Sequence, residues 1–276
     1  MAIIDGRKIA AEIKEKVREE VEGMETKPGL ATVLVGDDPA SQLYVKLKGK
    51  ACEEAGIKSE KYEFPGDAKE EEVIKLIREL NSNSSIHGIL VQLPLPKNLN
   101  SQKIMAEIAP EKDVDGFNPV NMGRLLIGDE RFVPCTPKGV IRMLEHEKVE
   151  LKGKDCVIVN HSPVVGKPLA MLLLNREATV SVCHVKTKDL GKFTREAEIL
   201  IVAAGVPGLI KADMVKKGVV VIDVGINKTK DGVVGDVDFE AVKEKASLIT
   251  PVPGGVGPMT IAMLLENTIL AARWQK

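Results

Sequence analysis

The 276-residue chain has no long hydrophobic run. None approaches the roughly 20 apolar residues that span a bilayer, so no transmembrane helix is expected. Neither charge is in excess: 39 Lys and Arg face 40 Asp and Glu, a formal net charge of -1. Without a basic stripe, a general nucleic-acid or anionic-membrane binder is not expected. Cysteine is scarce, and Cys52, Cys135, Cys156 and Cys183 form no C-x-x-C. So few, so widely spaced, suit a reduced intracellular compartment, with Cys156 and Cys183 packing as small apolar groups. The four histidines include no H-E-x-x-H or paired Cys/His spacing, so no metal site is expected. The start of the chain, with Asp5 among its first residues, does not read as a secretory signal. Gly 24 and Pro 15 leave no low-complexity segment. A soluble, cytoplasmic protein is expected, long enough for one large core or two.

Hydrophobic periodicity alternates helix with strand. Ile9, Ile13, Val17 and Val21 mark one face of a helix from Arg7 to about Met24, and Leu30–Val35 is a short apolar strand. A helix to about Ala55, a strand over Ile57–Phe64, a helix over Glu70–Leu80 and a strand over Ile86–Gln92 follow. Ser101 is expected to cap a short helix to Ile108. This order predicts a parallel α/β sheet, in which ligands bind beyond the carboxyl ends of the strands.

Tyr44 and Lys48 lie just past such an end. Asp37 or Asp38 before Pro39 reads as a helix start, since a carboxylate caps free N–H groups and proline fits the first turn. Four residues apart on a helix, the phenol and the ammonium share a face, about 6 Å apart along the axis. They can act as an acid–base pair. On a solvated face the same spacing arises by chance, so the pair alone decides nothing. Gln92, at the end of another strand, converges on the same crevice. The turn-rich stretch from Ala109 to Pro119 reads as a domain linker. Within it, Asp115-Gly116 is either a tight turn or a carboxylate offered to a ligand.

The second half repeats the alternation. Helix Thr136–Glu145 precedes strand Cys156–Val159, helix Leu169–Leu174, and strands over Ala178–Cys183, Glu198–Gly205 and Val219–Gly225. The nucleotide fingerprint G-x-G-x-x-G is absent. Asn160 stands where its first glycine would turn the chain, and asparagine tolerates left-handed backbone. Gly166 can still open a helix whose N-terminus faces a pyrophosphate. About 20 residues beyond the first strand an NAD site should show an acid for the ribose 2′-hydroxyl. Here stands Cys183-His-Val-Lys-Thr-Lys188, with no acid before Asp189. Lys186, Lys188 and His161 can instead meet a 2′-phosphate, which favours NADP. Near the end, Gly254, Gly255 and Gly257 lie in a proline-stiffened loop that lets backbone N–H groups approach a ligand, before a last helix at about 261–273.

Six motifs together resemble the bifunctional methylenetetrahydrofolate dehydrogenase/cyclohydrolase (FolD) family. They are Ser41-x-x-Tyr44-x-x-x-Lys48, Val91-Gln-Leu-Pro-Leu-Pro96, Pro110-x-Lys-Asp-Val-Asp115-Gly, Pro134-Cys-Thr-Pro137-x-Gly139, Ser162-x-x-x-Gly166-x-Pro168 and Pro251-Val-Pro-Gly-Gly-Val-Gly-Pro-Met-Thr260. The resemblance implies two α/β domains with a cleft between them. An N-terminal folate-binding catalytic domain covers 1–118, and a Rossmann-like NADP-binding domain covers 119–276, its last helix packing back on the first domain. It implies oxidation of 5,10-methylenetetrahydrofolate with NADP, then hydrolysis of the methenyl product to 10-formyltetrahydrofolate. Lys48 would be the principal catalytic residue, moving protons and orienting water; the cationic carbon beside it would favour the neutral amine. Tyr44 would bond or stack on the folate and help set the state of Lys48. Gln92 would hold the lysine nitrogen, and Asp115 would anchor the pterin edge. Gly254, Gly255 and Gly257 would shape the folate pocket, with Thr260 near it. Asn160, His161, Ser162, Gly166, Val185, Lys186, Gly205 and Ile226 would line the cofactor site. The family also implies a homodimer through the nucleotide domains.

The chain departs from the family where the 2′-phosphate is held. The usual Gly-Arg-Ser reads Asn160-His161-Ser162, and the usual serine after Cys-His is Val185. No acid replaces them, so NADP remains the expectation, with NAD as the alternative. Tyr-x-x-x-Lys also occurs in short-chain dehydrogenases, but there it follows the nucleotide loop, whereas Tyr44 and Lys48 precede Asn160. A shikimate-type dehydrogenase shares the two-domain layout without explaining Gln92-Leu-Pro-Leu or the Gly254 loop. A dehydrogenase-only member and a folate-binding protein without turnover are the remaining alternatives.

Overall fold

The computed structural model describes residues 2–230 and 232–275. Strand β1 (Ala2–Ile3) and helix α1 (Gly6–Glu22) open the chain, followed by β2 (Gly29–Val35), α2 (Pro39–Glu54), β3 (Lys58–Phe64), α3 (Glu70–Ser82) and β4 (Gly88–Val91). Three helices come next: α4 (Ser101–Glu107), α5 (Pro119–Leu126) and α6 (Cys135–His146). Then follow β5 (Asp155–Val159), α7 (Gly166–Leu174), β6 (Thr179–Cys183), α8 (Leu190–Thr194), β7 (Ile199–Val202) and β8 (Val220–Asp223). A hairpin of β9 (Asn227–Thr229) and β10 (Gly232–Val234), helix α9 (Phe239–Lys243), β11 (Leu248–Ile249) and α10 (Val256–Trp274) complete it.

The chain forms two units, each an α/β structure with its own parallel sheet. One contains Ala11–Cys135 and the stretch from Ile261 onward; the other contains the residues up to Ala10 and Thr136–Thr260. Residues 119–135 therefore group with the N-terminal sheet. Among the described residues no helix is long and apolar enough to cross a membrane.

In the first unit the strand order is β3-β2-β4, all parallel. The central strand β2 is buried on both faces, as its unbroken apolar run requires. Ala31, Val33 and Val35 share one side with Ile89 and Val91, and Val73, Ile74, Ile77 and Ile104 cover them. The edge strand β3 carries exposed Lys58, Glu60 and Lys61, charges that discourage pairing with another chain. The sheet steps to opposite sides of β2, so the carboxyl ends of β2 and β4 flank a switch point, the place where such sheets bind ligands. Gln92 continues the ladder there, its N–H donating to Val33 O at 2.9 Å.

In the second unit the order is β1-β11-β8-β7-β5-β6, again parallel. From β5 onward this is the 2-1-3-4-5 order of a doubly wound nucleotide fold, with its switch point between β5 and β7. The apolar runs of β5, β7 and β8 are almost wholly buried.

Three local expectations shift. The last helix begins at Val256, not near 261, because Pro258 lies in its first turn, where no N–H is needed. Asn100 rather than Ser101 caps α4, accepting the Lys103 N–H at 3.2 Å. The linker stretch ends in a helix, α5, which Asn118 caps ahead of Pro119.

Candidate active site

Helix α2 starts where Asp38 accepts the N–H of Ser41 at 2.7 Å, with Pro39 in the first turn. Its buried residues Ser41, Val45, Lys48 and Cys52 recur at three- and four-residue steps, one stripe of the helix. Lys48 thus belongs to the inward face, only 5% exposed, and a chance pairing on a solvated face is ruled out. A lysine is rarely buried without a partner. Its Nζ donates to Gln92 Oε1 at 3.0 Å. Gln92 Nε2 donates to Leu93 O at 2.7 Å, which turns the amide oxygen toward the lysine. Among the described residues no carboxylate forms an ion pair with Lys48. An amide oxygen accepts an N–H from amine or ammonium alike, so this partner suits a nitrogen that exchanges protons.

The flanking groups are less reactive. Tyr44 is half-buried, and burial holds its phenol above the ordinary range. It is a neutral donor at neutral pH, and no hydrogen bond joins it to Lys48 among the described residues. Burial pushes the Cys52 thiol up to about 12, against the opposing pull of the nearby Lys48 charge and a hydrogen bond with Ser59. That thiol is closed to nucleophilic chemistry. The Ser41 hydroxyl is buried with no hydrogen-bond partner within the described residues.

Asp115 is half-buried on a loop that two other residues build. Asp113, 1% exposed, accepts N–H bonds from Gly116 (3.1 Å), Phe117 (3.1 Å) and Asn118 (2.8 Å), and from Asn121 Nδ2 (2.9 Å). Burial pushes its carboxyl up to about 6, while those bonds pull the other way. Lys112, also buried, donates to Leu80 O and Asn83 O at the end of α3. Gly116 has φ +75°, and a Cβ there would sit 2.6 Å from Pro134 N, so only glycine fits beside Asp115.

In the other unit the strand-end loops are tied by half-buried and buried polar groups. Asn160 Oδ1 accepts the N–H groups of Ser162 (2.7 Å) and Gly166 (3.0 Å), and its Nδ2 donates to Ala203 O across the β5/β7 switch point. Ser162 Oγ accepts the Val165 N–H and Ser162 O the Lys167 N–H. The amides of Val165, Gly166 and Lys167 are therefore engaged within the loop. Gly205, at φ +68°, also has its N–H engaged: Asp236 accepts from Ala204, Gly205 and Val206. Asp223 in turn accepts from Gly225, Asp236 and Val237. Burial pushes the Asp223 carboxyl up to about 6. His161, Val185 and Lys186 are exposed, and Ser162 is half-buried. Ile226, 50% exposed, follows β8.

The residues past β5 and β6 offer imidazoles and lysines, and no acid to accept from a ribose hydroxyl. Asp189, the first acid beyond β6, instead accepts the Lys192 N–H at the start of α8. This donor set fits the 2′-phosphate of NADP.

Comparison with known proteins agrees with both halves. The tetrahydrofolate dehydrogenase/cyclohydrolase catalytic domain matches residues 4–115, and the NAD(P)-binding domain of the same family matches 134–276. The chain belongs to the tetrahydrofolate dehydrogenase/cyclohydrolase family. It is 60% identical to the bifunctional protein FolD of Methanosarcina mazei over 98% of this chain and 96% of that one. The crystal structure of the bifunctional FolD dehydrogenase/cyclohydrolase from Campylobacter jejuni superposes with a TM-score of 0.97 at 53% identity, covering both chains fully. The Trypanosoma brucei enzyme, solved with NADP and an inhibitor, gives 0.95 at 38% identity over 99% of this chain and 98% of that one.

For this member of the family the structure joins Lys48 and Gln92 directly; it places Tyr44 one turn from Lys48 and Asp115 on its own braced loop. Gly254, Gly255, Gly257 and Thr260 fall in the nucleotide-binding unit. There Gly254 takes φ +113° and its O accepts the Arg7 N–H at 3.1 Å. A Cβ on Gly255 would meet Pro251 O at 2.7 Å, so packing within the loop already demands these glycines. Gly257 lies in the first turn of α10, and Thr260 Oγ1 is 3.0 Å from Thr136 Oγ1. Sequence reasoning missed Asp113, Asp223 and Asp236. The only signal was position: each lies beside a glycine-bearing turn that follows or borders a strand.

Proposed function

We propose that Lys48 carries the cyclohydrolase step, held by Gln92 and assisted by Tyr44. The protein oxidises 5,10-methylenetetrahydrofolate to the methenyl compound with NADP and hydrolyses that product to 10-formyltetrahydrofolate. The carrying observation is the buried Lys48–Gln92 bond at the β2/β4 switch point of a chain matching the family over nearly its whole length. NADP, when bound, would supply the acceptor for the hydride that leaves the methylene carbon. The protein's part in that step is to hold and orient the substrate. In hydrolysis, Lys48 Nζ takes a proton from the water that adds to the methenyl carbon, then returns one as the ring opens. Gln92 keeps the nitrogen lone pair or N–H aimed by holding one of its hydrogens. Tyr44, a neutral phenol, donates to the folate or to that water, and the unpartnered Ser41 hydroxyl supplies a further polar contact. Asp115 accepts N–H bonds from the pterin edge. Gly254, Gly255, Gly257 and Thr260 are read as folate-pocket residues through the family motif they share.

For the cofactor, Asn160, His161, Ser162, Gly166, Val185, Lys186, Gly205 and Ile226 form the proposed lining. Gly166 and Gly205 serve it through backbone shape, since their N–H groups are engaged. Absorbance assays with methylenetetrahydrofolate should show reduced cofactor forming with a kcat/KM at least tenfold higher for NADP than for NAD, the scale of one favourable charge-assisted contact. A clear NAD preference sinks the cofactor assignment, and no turnover with either leaves only a folate binder.

A homodimer through the nucleotide-binding units is part of the same reading. Exposed Val182 on the edge strand β6 and exposed Leu174 on α7 give it apolar surface. Light scattering should return twice the 29.9 kDa chain mass; a monomer at micromolar concentration would end this reading. Four buried, unbridged thiols suit a cytoplasmic location.

A further inference from the structure

Two histidines meet where the ends of β5 and β6 leave the nucleotide-binding sheet. Val159 pairs with Cys183 in the ladder, so the residues that follow each emerge side by side. The rings of His161 and His184 stand 4.8 Å apart, tilted by 40°, and both are exposed. Their surroundings differ. Nδ1 of His184 accepts the N–H of Lys186 at 3.1 Å, and the His184 N–H donates to Thr187 Oγ1 at 2.9 Å. A ring nitrogen that accepts carries no hydrogen, so Nε2 is the nitrogen that His184 can offer to a ligand. The His161 ring makes no hydrogen bond among the described residues, so its nitrogens are open to a ligand.

The elements packed against this end are mostly cationic. Lys167 opens α7, Lys192 lies on α8, and Lys186 and Lys188 share the loop after β6. Asp189 is the acid there, committed to the Lys192 N–H at 3.0 Å. β6 and the loop after β7 carry no charge, and Asp155 stands at the opposite end of β5. In a doubly wound sheet the residue after the second strand meets the adenosine ribose 2′ position. Here that residue is His184, with His161 beside it.

We propose that His161 and His184 together grip the 2′-phosphate of NADP, and that protonation of His161 sets how strongly NADP is preferred over NAD. His184 donates from Nε2, its Nδ1 being occupied by the Lys186 N–H. His161 contributes a hydrogen bond when neutral and a charge-assisted one when protonated, roughly twice as strong. Histidine changes charge between about pH 5 and 8, whereas a phosphate monoester is mostly dianionic above about pH 6. Binding of NADP then takes up a proton in this range and weakens as pH rises. NAD lacks the phosphate and does not share the trend. The proposal rests on the assignment of NADP as cofactor.

Isothermal titration of the whole protein with NADP and NAD at pH 6.5, 7.5 and 8.5 tests it. The NADP Kd should rise about tenfold over this interval while the NAD Kd stays within about twofold, as linkage to one imidazole requires. Titrations in two buffers of different ionisation heat should show proton uptake with NADP alone. The variant His161→Arg, charged throughout, should bind NADP with a flat pH profile, and His161→Gln should bind it weakly at every pH. A flat wild-type profile, or an undiminished slope in His161→Arg, overturns the proposal while leaving NADP as the cofactor. Tighter binding of NAD than NADP at every pH overturns both.

Discussion

Replacing Lys48 with alanine is expected to lower hydrolysis of methenyltetrahydrofolate by about 10²–10⁴-fold, the range one positioned acid–base group supplies. The reason is geometric. Lys48 is the buried nitrogen at the switch point of the N-terminal sheet, and its hydrogen-bond partner is a neutral amide that leaves its proton free to move. Neither the buried Cys52 thiol nor the neutral Tyr44 phenol offers water a comparable base. Alanine also leaves Gln92 Oε1 without its donor, costing about 1–3 kcal/mol of local stability. Lys48→Met, which keeps most of the side-chain volume, separates this packing effect from the chemistry. Both variants should lose hydrolysis to a similar degree. The dehydrogenase step, which depends on positioning, should fall far less. Stopped-flow decay of the methenyl absorbance against single-turnover reduction of the cofactor makes the comparison. Hydrolysis within threefold of wild type in Lys48→Met would remove the lysine from the mechanism.

Asp113→Asn should destabilise the N-terminal unit by about 2–5 kcal/mol near neutral pH, as two of four buried N–H donors lose their acceptor oxygen. The amides of Gly116 and Phe117 bond to one carboxylate oxygen, and Asn118 N–H and Asn121 Nδ2 bond to the other. An asparagine presents an NH2 group to one of these pairs. Hydrogen exchange at residues 116–118 should accelerate most, because these amides lose their partner directly. The loop carrying Asp115 then loosens. The KM for methylenetetrahydrofolate should rise about tenfold, with kcat for hydride transfer changed only a few-fold, as expected when ground-state binding is lost.

The same carboxyl carries a pH signature. Burial raises it from 3.8 to about 6 in the folded chain. The folded state therefore binds its proton first as pH falls, and this group adds stability between about pH 6 and 4; that contribution is lost as pH rises through 6. Asparagine cannot titrate. The stability gap between wild type and Asp113→Asn should therefore widen in acid, by up to about 2–3 kcal/mol. Urea titrations at pH 7, 6 and 5 measure it. A gap that narrows would show that the four donors outweigh burial and hold the carboxylate ionised.

Much of the site was legible because strand ends and helix starts are local events. The apolar run ending at Gly36, the Asp38-Pro39 helix start and the four-residue step from Tyr44 to Lys48 are short-range patterns. They placed both residues beside a strand terminus before any fold was known. Gln92 was legible for the same reason, as the first polar residue after the β4 run. Which face of α2 turns inward was not legible. Its hydrophobic pattern is weak, since Leu43 and Leu47 are exposed while Ser41 and Lys48 are buried. Periodicity reads polarity, and on α2 polarity and burial run against each other.

The carboxylates were hidden by a different limit. Asp113 and Asp115 are two residues apart in one motif, yet one is buried under four donors and the other is half-exposed. Only the approach of α5, with Asn121, and the glycine-tight packing of Gly116 on Pro134 tell them apart. Asp223 and Asp236 are thirteen residues apart and become one network through three strand ends. The motif glycines show the converse: Gly166 and Gly255 looked like approaches for a ligand, and tertiary contacts already use their backbone or their missing Cβ.

By itself, then, the sequence determined the family, the two parallel α/β sheets and the identity of Lys48 and Gln92 as a candidate pair. These follow from periodicity, strand-end position and motif order, all carried within short stretches of chain. The tertiary structure alone decided that Lys48 faces inward onto Gln92, that Asp113 braces the Asp115 loop, and that amide groups in the loops after β5 and β7 are engaged by Asn160 and Asp236. It also brought His161 against His184. Each of these depends on atoms far apart in the chain meeting within about 3–5 Å, a proximity that close packing creates.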